Sequence, residues 1–127
     1  MSSVTEGRHA GDFLLSMANG KRSFDTVTVT VPGSTTWGPG KVLGQHAGTG
    51  KYLEYDNAGS DGTETASGIL YSELANADVS AADFTGVIVN MDAEVRLADL
   101  TWASGASQGD KDAGVADLKA LGIKARS

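Results

Sequence analysis

Cysteine is absent from this 127-residue chain, and proline occurs only twice. Without cysteine there are no disulfides and no thiolate ligands for a metal, which fits assembly in a reducing cytoplasm. Aromatic residues are only 6% of the sequence, whereas glycine occurs 17 times. So many glycines predict turns and short strands rather than a helix bundle. The length allows one domain with a single modest core.

Clusters of basic residues and long apolar runs are also missing. Sixteen acidic residues outweigh ten basic ones, and the longest basic cluster is Lys21-Arg22. Nucleic-acid binding needs clustered cations, so we predict no nucleic-acid partner. No apolar run approaches the about 20 residues of a membrane span. The N-terminus also lacks the basic-then-apolar pattern of a signal peptide, so we expect neither membrane insertion nor secretion by that route.

The clearest structural signal is the alternation of valine and threonine in residues 26–31. This period of two in β-branched residues predicts a strand with its valines on one face. A helix is predicted for residues 110–121, with Asp110 as its N-cap and Gly122 at its C-terminal stop. Further strands are predicted between turn-forming segments, at residues 42–46, 52–55, 66–71, 85–91 and 93–97. The expected fold class is α+β, mainly β: a compact small β domain with a C-terminal helix.

Residues 1–22 are polar apart from an apolar patch at Phe13, Leu14, Leu15 and Met17. Such a segment buries too little apolar surface to offset its ordering entropy, so we predict a flexible N-terminal arm at 1–22 and a globular domain at 23–127. The patch has two interpretations. It starts the first core strand, or it is an anchor that orders on a partner, for example by adding a strand to the partner's sheet.

Residues 105–109 match the G-x-S-x-G pattern of hydrolases, centred on Ser107. That site needs a strand before the serine, a helix after it, and an acid and then a histidine later in the chain. Both histidines, His9 and His46, come before Ser107. We therefore interpret the match as a loop and predict no catalytic residue.

Two further patterns suggest ligands but fail on spacing. A phosphate-binding loop ending at Lys51 requires glycine at position 45 and serine or threonine at position 52, where the chain has Gln45 and Tyr52. The loop of residues 56–65 offers oxygen ligands for calcium without the EF-hand spacing, so a solvated turn is the better interpretation. No metal and no cofactor are predicted.

The two tryptophans are the largest apolar side chains. Trp37 is followed by Gly38-Pro39-Gly40, so we expect it to be the more exposed of the two and a candidate interface anchor. Trp102 is expected in the core. The alternative for both tryptophans is a purely structural role, in the core or packed against a turn.

Eight short segments follow one another in a characteristic order: 11–16 (GDFLLS), 25–31 (DTVTVTV), 40–44 (GKVLG), the loop 55–62, 66–70 (ASGIL), 93–95 (AEV), 100–102 (LTW) and 118–123 (LKALGI). No segment is diagnostic alone, but the ordered set is much more specific than any of its members. In this order and spacing the segments resemble the head decoration proteins of tailed bacteriophages, the family of the phage lambda head-stabilising protein, and the resemblance covers residues 11 to 126.

The resemblance implies a structural protein rather than an enzyme. It implies a homotrimer, formed only on the capsid in some members, at threefold or quasi-threefold positions on the outer surface of the expanded head. There it would bind the major capsid protein and stabilise the head against internal DNA pressure, after synthesis in the host cytoplasm. Because the arm of this family contacts the capsid, the implied capsid-binding residues are Phe13, Leu14 and Leu15, with Trp37 as a weaker candidate.

One alternative belongs to a different class of protein. A small β-rich adhesion or ligand-binding module on the virion surface would bind a glycan or receptor through the loops at residues 56–65 or 76–83.

Overall fold

The computed structural model describes residues 10–17 and 23–127. Strands account for 42% of it and helix for 14%. The elements in chain order are β1 (Leu14–Met17), β2 (Phe24–Val31), β3 (Thr35–Trp37), β4 (Val42–Gln45), β5 (Tyr52–Glu54), β6 (Ala66–Leu70), β7 (Leu74–Asn76), β8 (Ala82–Val89), β9 (Ala93–Arg96), a 3₁₀ turn (Leu97–Asp99), α1 (Gln108–Ala120) and β10 (Ile123–Arg126). The predicted fold class, a compact mainly β domain with a C-terminal helix, is confirmed.

Five strands form a closed barrel in the order β2-β5-β4-β6-β8. The longest pair is β2 with β8, antiparallel from Phe24 opposite Val89 to Val31 opposite Ala82. The barrel closes where β2 meets β5 in parallel, with Val29 opposite Tyr52. Strands β4 and β5, at the positions of two predicted strands, form an antiparallel hairpin, and its turn uses a positive φ of 74° at Gly50, which glycine adopts without steric cost.

Two smaller sheets flank the barrel. One has the order β1-β9-β10, in which β1 is antiparallel to β9 and β10 is parallel to it. The other is an antiparallel pair of β3 and β7. The strands β3, β7 and β10 have three or four residues each and were not predicted. Segments this short carry little periodicity, and a partner strand rather than the local sequence makes them extended.

Buried side chains form two clusters. Alternation along β2 sends Val29 and Val31 into the barrel, where they belong to the first cluster, with Trp37, Leu43, Tyr52, Leu70 and Ile88. The second lies between the barrel, the helix and the β1-β9-β10 sheet, and contains Phe13, Val42, Tyr55, Ala66, Ile69, Val89, Ala93, Val95, Leu100, Leu118 and Ile123. The helix and the small sheet are therefore held on the barrel by a shared apolar core.

The helix begins two residues earlier than predicted. Ser107 is the N-cap, and its hydroxyl accepts a hydrogen bond from the Asp110 N–H while the Asp110 carboxylate accepts from the Ser107 N–H. The prediction of Asp110 as the N-cap is wrong, because Asp110 is the third helical residue of a capping box. The predicted stop is confirmed, with Gly122 at a φ of 83°.

The described ranges, 10–17 and 23–127, contain no helix that is both long enough and apolar enough to cross a membrane.

Candidate contact surface

Strand β1 is anchored to the domain by the residues that directly precede it. The Phe13 side chain is fully buried in the second core cluster, and its carbonyl oxygen accepts a hydrogen bond of 2.8 Å from the Arg96 N–H. One turn earlier, the Gly11 N–H donates to the Tyr71 carbonyl oxygen at 2.9 Å. Residues 10–17, the described part of the predicted arm, therefore pack on the domain. The rest of that arm, residues 1–9 and 18–22, lies outside the described residues.

The three predicted contact residues at the start of the chain differ in exposure. Phe13 has no exposed surface, Leu14 is half-buried, and Leu15 is 43% exposed. Met17, in the same strand, is 50% exposed. The strand irregularity between Leu14 and Ser16 leaves Leu15 without a residue opposite it on β9. Leu15 and Met17 thus form an apolar surface on an outer strand.

The two edges of the β1-β9-β10 sheet are different. The edge at β10 carries the exposed charged residues Lys124 and Arg126, and charged side chains discourage pairing with another strand. The edge at β1 carries Leu15, Ser16 and Met17 and has no charged residue. Among the described strands β1 pairs only with β9. Its outer edge can therefore receive a strand or an apolar surface from a partner.

Glu94 connects the three strands of this sheet. It accepts a hydrogen bond of 2.8 Å from the Ser16 hydroxyl on β1 and pairs with the Arg126 guanidinium on β10. The hydrogen bond from Ser16, followed by that from Arg126, lowers the pKa of the Glu94 carboxyl. Glu94 thus links β9 to β1 and to β10 through side-chain contacts, in addition to the backbone pairing of the strands. The sequence shows only a carboxylate on a strand and did not suggest this role.

Trp37 is not on the surface. Its side chain is 7% exposed and belongs to the barrel cluster, with the Lys41 ammonium 5.2 Å from its ring centroid. The loop after Trp37 returns to the barrel, where the Gly40 N–H donates to the Leu70 carbonyl oxygen. The prediction that Trp37 is the more exposed tryptophan is wrong, since Trp102 is half-buried. The glycines near Trp37 form a return loop, which the sequence does not distinguish from an exposed one.

The serine of the G-x-S-x-G match has a structural role. Its hydroxyl oxygen accepts the Asp110 N–H at 3.1 Å as the helix cap. His46 lies at the hairpin turn, where its Nδ1 accepts hydrogen bonds from the N–H groups of Gly48 and Thr49. Ser107 and His46, the residue types that a hydrolase would need, thus stabilise the helix cap and the hairpin turn respectively.

The acidic loop after β5 is built from local turns. Asp56 accepts the Ala58 N–H, and Asp61 accepts both the N–H and the hydroxyl of Thr63. The two hydrogen bonds from Thr63 lower the pKa of the Asp61 carboxyl, and the bond from the Thr63 hydroxyl has the larger effect. Within residues 10–17 and 23–127, no group of three or more His, Cys, Asp or Glu side chains is placed to hold a metal ion.

The fold and this surface define a small β-barrel domain with an apolar, open sheet edge, the kind of edge that binds other proteins. The family model of bacteriophage lambda head decoration protein D matches residues 3–123, and the chain belongs to this family. No curated protein matches the chain in sequence. Membership in a family of structural proteins associates the chain with the surface of the phage capsid.

Proposed function

We propose that this chain binds as a trimer at threefold or quasi-threefold positions on the outer surface of the expanded head. It is made in the host cytoplasm, contacts the major capsid protein, and stabilises the head against the pressure of packaged DNA. It needs no nucleic acid, membrane or cofactor. The family match supports the capsid as partner, and the apolar edge at β1 supports protein binding through this end of the chain.

The proposed contact is centred on Leu15 and Met17, the most exposed apolar side chains of β1. Leu14 is half-buried and adds a smaller area. Direct contact by Phe13 and Trp37 stays a prediction, and both side chains are buried in the free chain. We assign Phe13 instead the role of holding β1 in place, so that the outer edge is formed before the capsid is met.

Stabilisation of the head then follows from mass action. A ligand that binds only the expanded lattice favours that lattice by about 2.7 kcal/mol per site at a hundredfold excess over its dissociation constant. Three linked chains would add avidity, because each bound chain raises the effective concentration of the next.

The test is co-sedimentation of the purified chain with expanded and unexpanded heads of its own phage. We expect saturable binding to expanded heads near three copies per threefold site. The double variant Leu15→Ser/Met17→Ser should bind about tenfold more weakly, because it loses about 1–2 kcal/mol of apolar burial per chain. Both positions are exposed, so the domain should still fold.

The matched control is the exchange Leu15→Met/Met17→Leu, which keeps the apolar area and volume of the edge. It should bind like the unmodified chain. Equal binding by the serine variant would reject the β1 contact, and absence of binding to either form of head would reject capsid decoration and favour a ligand screen instead.

A further inference from the structure

A second apolar surface lies away from β1, between the 3₁₀ turn and helix α1. It is an open groove of about 340 Å³, and its apolar lining includes Leu97, Leu100, Trp102 and Val115. Leu97 is 36% exposed. Lys111 and Asp112 also line the groove. The Asp112 carboxylate accepts a hydrogen bond of 2.9 Å from the Gln108 side-chain amide, whereas within the described part of the chain the Lys111 ammonium takes part in no ion pair. The groove therefore suits an apolar side chain that is accompanied by a carboxylate.

The loop between β7 and β8 presents such a pair. Val79 is 92% exposed, far more than the other exposed large apolar side chains of the described residues, which are 50% exposed or less. Asp78 precedes it, is also exposed, and has no ion pair among residues 10–17 and 23–127. None of the loop residues 77–81 lines the groove of the same chain.

The loop is rigidly held although its tip is exposed. Asn76 is 3% exposed, and its side-chain NH2 group lies 3.0–3.1 Å from the carbonyl oxygens of Val31, Pro32 and Ser80, which share its two hydrogens. The Asp78 carbonyl oxygen accepts the Ser34 N–H at 2.7 Å.

The turn before β3 is packed directly against this loop. A Cβ added at Gly33 would lie 2.2 Å from the Val79 carbonyl oxygen, so a side chain there would displace the loop. The backbone of Val79 is therefore ordered before any partner binds, which removes an entropic cost of association.

We propose that the Asp78-Val79 tip of one copy docks in the Leu97-Trp102 groove of a second copy. The Val79 side chain enters the apolar groove, and the Asp78 carboxylate pairs with the partner's Lys111. The inference rests on the trimer of the proposed function and names its interface.

Two observations favour a second copy as the occupant. Lys111 at the groove and Asp78 at the tip carry opposite charges and have no ion pair within the described residues, so each can pair with the other on an identical chain. They are also different patches built from different elements, and a contact between different patches is the heterologous kind that a three-membered ring requires.

The first experiment is a disulfide cross-link. Because the natural chain has no cysteine, only the two introduced cysteines can form a disulfide. The double variant Val79→Cys/Leu97→Cys is bound to expanded heads, oxidised, and run on a denaturing gel without reductant. We expect covalent dimers and trimers in most of the bound chain. The matched control Val79→Cys/Met91→Cys pairs the tip with an equally exposed apolar residue outside the groove and should stay monomeric.

The second experiment reverses the charges. Asp78→Lys and Lys111→Glu should each reduce the occupancy of heads at limiting protein about tenfold, the range of a strong interfacial charge pair. The double variant Asp78→Lys/Lys111→Glu restores the pair and should recover most of the lost binding. Lys119→Glu, a reversal on the same helix outside the groove, should have little effect.

The outcomes separate the interface from the proposed function. Decoration of heads without the 79–97 cross-link, together with no rescue in the double reversal, would overturn the interface while decoration stands. If the unmodified chain does not bind heads, decoration itself fails. The cross-link is then sought in concentrated free protein, where its absence likewise rejects the interface.

Discussion

At the scale of single residues, Gly114 shows how packing overrides helix propensity. Glycine inside a helix costs about 1 kcal/mol relative to alanine. A Cβ at this position would lie 2.6 Å from Trp102 and 3.0 Å from Tyr55, whose rings meet edge to face at 6.0 Å. The helix can approach these rings only because residue 114 has no side chain.

We therefore predict that Gly114→Ala is destabilising, by about 1–2 kcal/mol, since overpacking outweighs the gain in propensity. The matched control is Gly109→Ala in the same helix, where the added Cβ would have its nearest contact at 3.7 Å. This control should be neutral or slightly stabilising. Urea unfolding of the two variants measures the difference, and equal stabilities would contradict the packing argument.

At the scale of elements, helix α1 depends on its capping box and on its contact with the barrel. Ser107 and Asp110 satisfy each other's N–H groups. The Asp117 carboxylate accepts the Ala66 N–H at 3.0 Å and so joins the helix to β6. The end of the helix near Asp110 is fixed as well, because the Tyr55 hydroxyl donates to its carbonyl oxygen.

Replacement of the cap tests the structural role of Ser107. Ser107→Ala should lower the free energy of unfolding by about 1 kcal/mol, because one helix N–H loses its acceptor. Ser104→Ala, in the exposed loop before the helix, serves as the control and should change stability little. Thermal unfolding followed by circular dichroism gives both values. An unchanged midpoint for Ser107→Ala would show that the cap contributes nothing.

At the scale of the whole molecule, the excess of acidic residues sets the response to pH. The formal net charge is -6. Hydrogen bonds and ion pairs of the fold lower the pKa of four carboxyls, those of Asp61, Asp83, Glu94 and Asp110. For Asp83 the main cause is the hydrogen bond from Lys51, and for Asp110 it is the Ser107 N–H.

A lowered pKa in the folded state stabilises the fold above the ordinary values of 3.8 for aspartate and 4.5 for glutamate. That contribution is lost as the pH falls below them, because the carboxylates are then protonated. We expect the melting temperature to be nearly constant from neutral pH to about 5 and to fall steadily at lower pH. A scan of melting temperature against pH measures this.

Glu94→Gln identifies one contribution to that curve. It should lower the melting temperature at pH 7 and make the acid-induced fall shallower, since the amide cannot titrate. Glu73→Gln removes an exposed carboxylate that has no ion pair in the described part of the chain, and should leave the curve unchanged. Parallel curves for Glu94→Gln and the unmodified chain would reject the role of Glu94.

Periodicity and turn chemistry by themselves determined most of the barrel. The valine alternation of β2, the glycine turn between β4 and β5 and the glycine stop of α1 are local signals, and each is present in the structure. Strands β3, β7 and β10 were missed because three or four residues hold little local information. Their extended form depends on partners that are distant in sequence.

The contact surface was determined only in part by the sequence. An apolar patch at residues 13–15 was visible, but whether each side chain faces the core or the solvent depends on where β1 meets β9 and where the strand is irregular. The burial of Trp37 and the exposure of Val79 also depend on how the loops next to them return to the barrel. The chain itself specifies strands, turns and family, because these follow from local pattern and order. Exposure is a property of three-dimensional packing, so only the tertiary structure decided which residues can meet a partner.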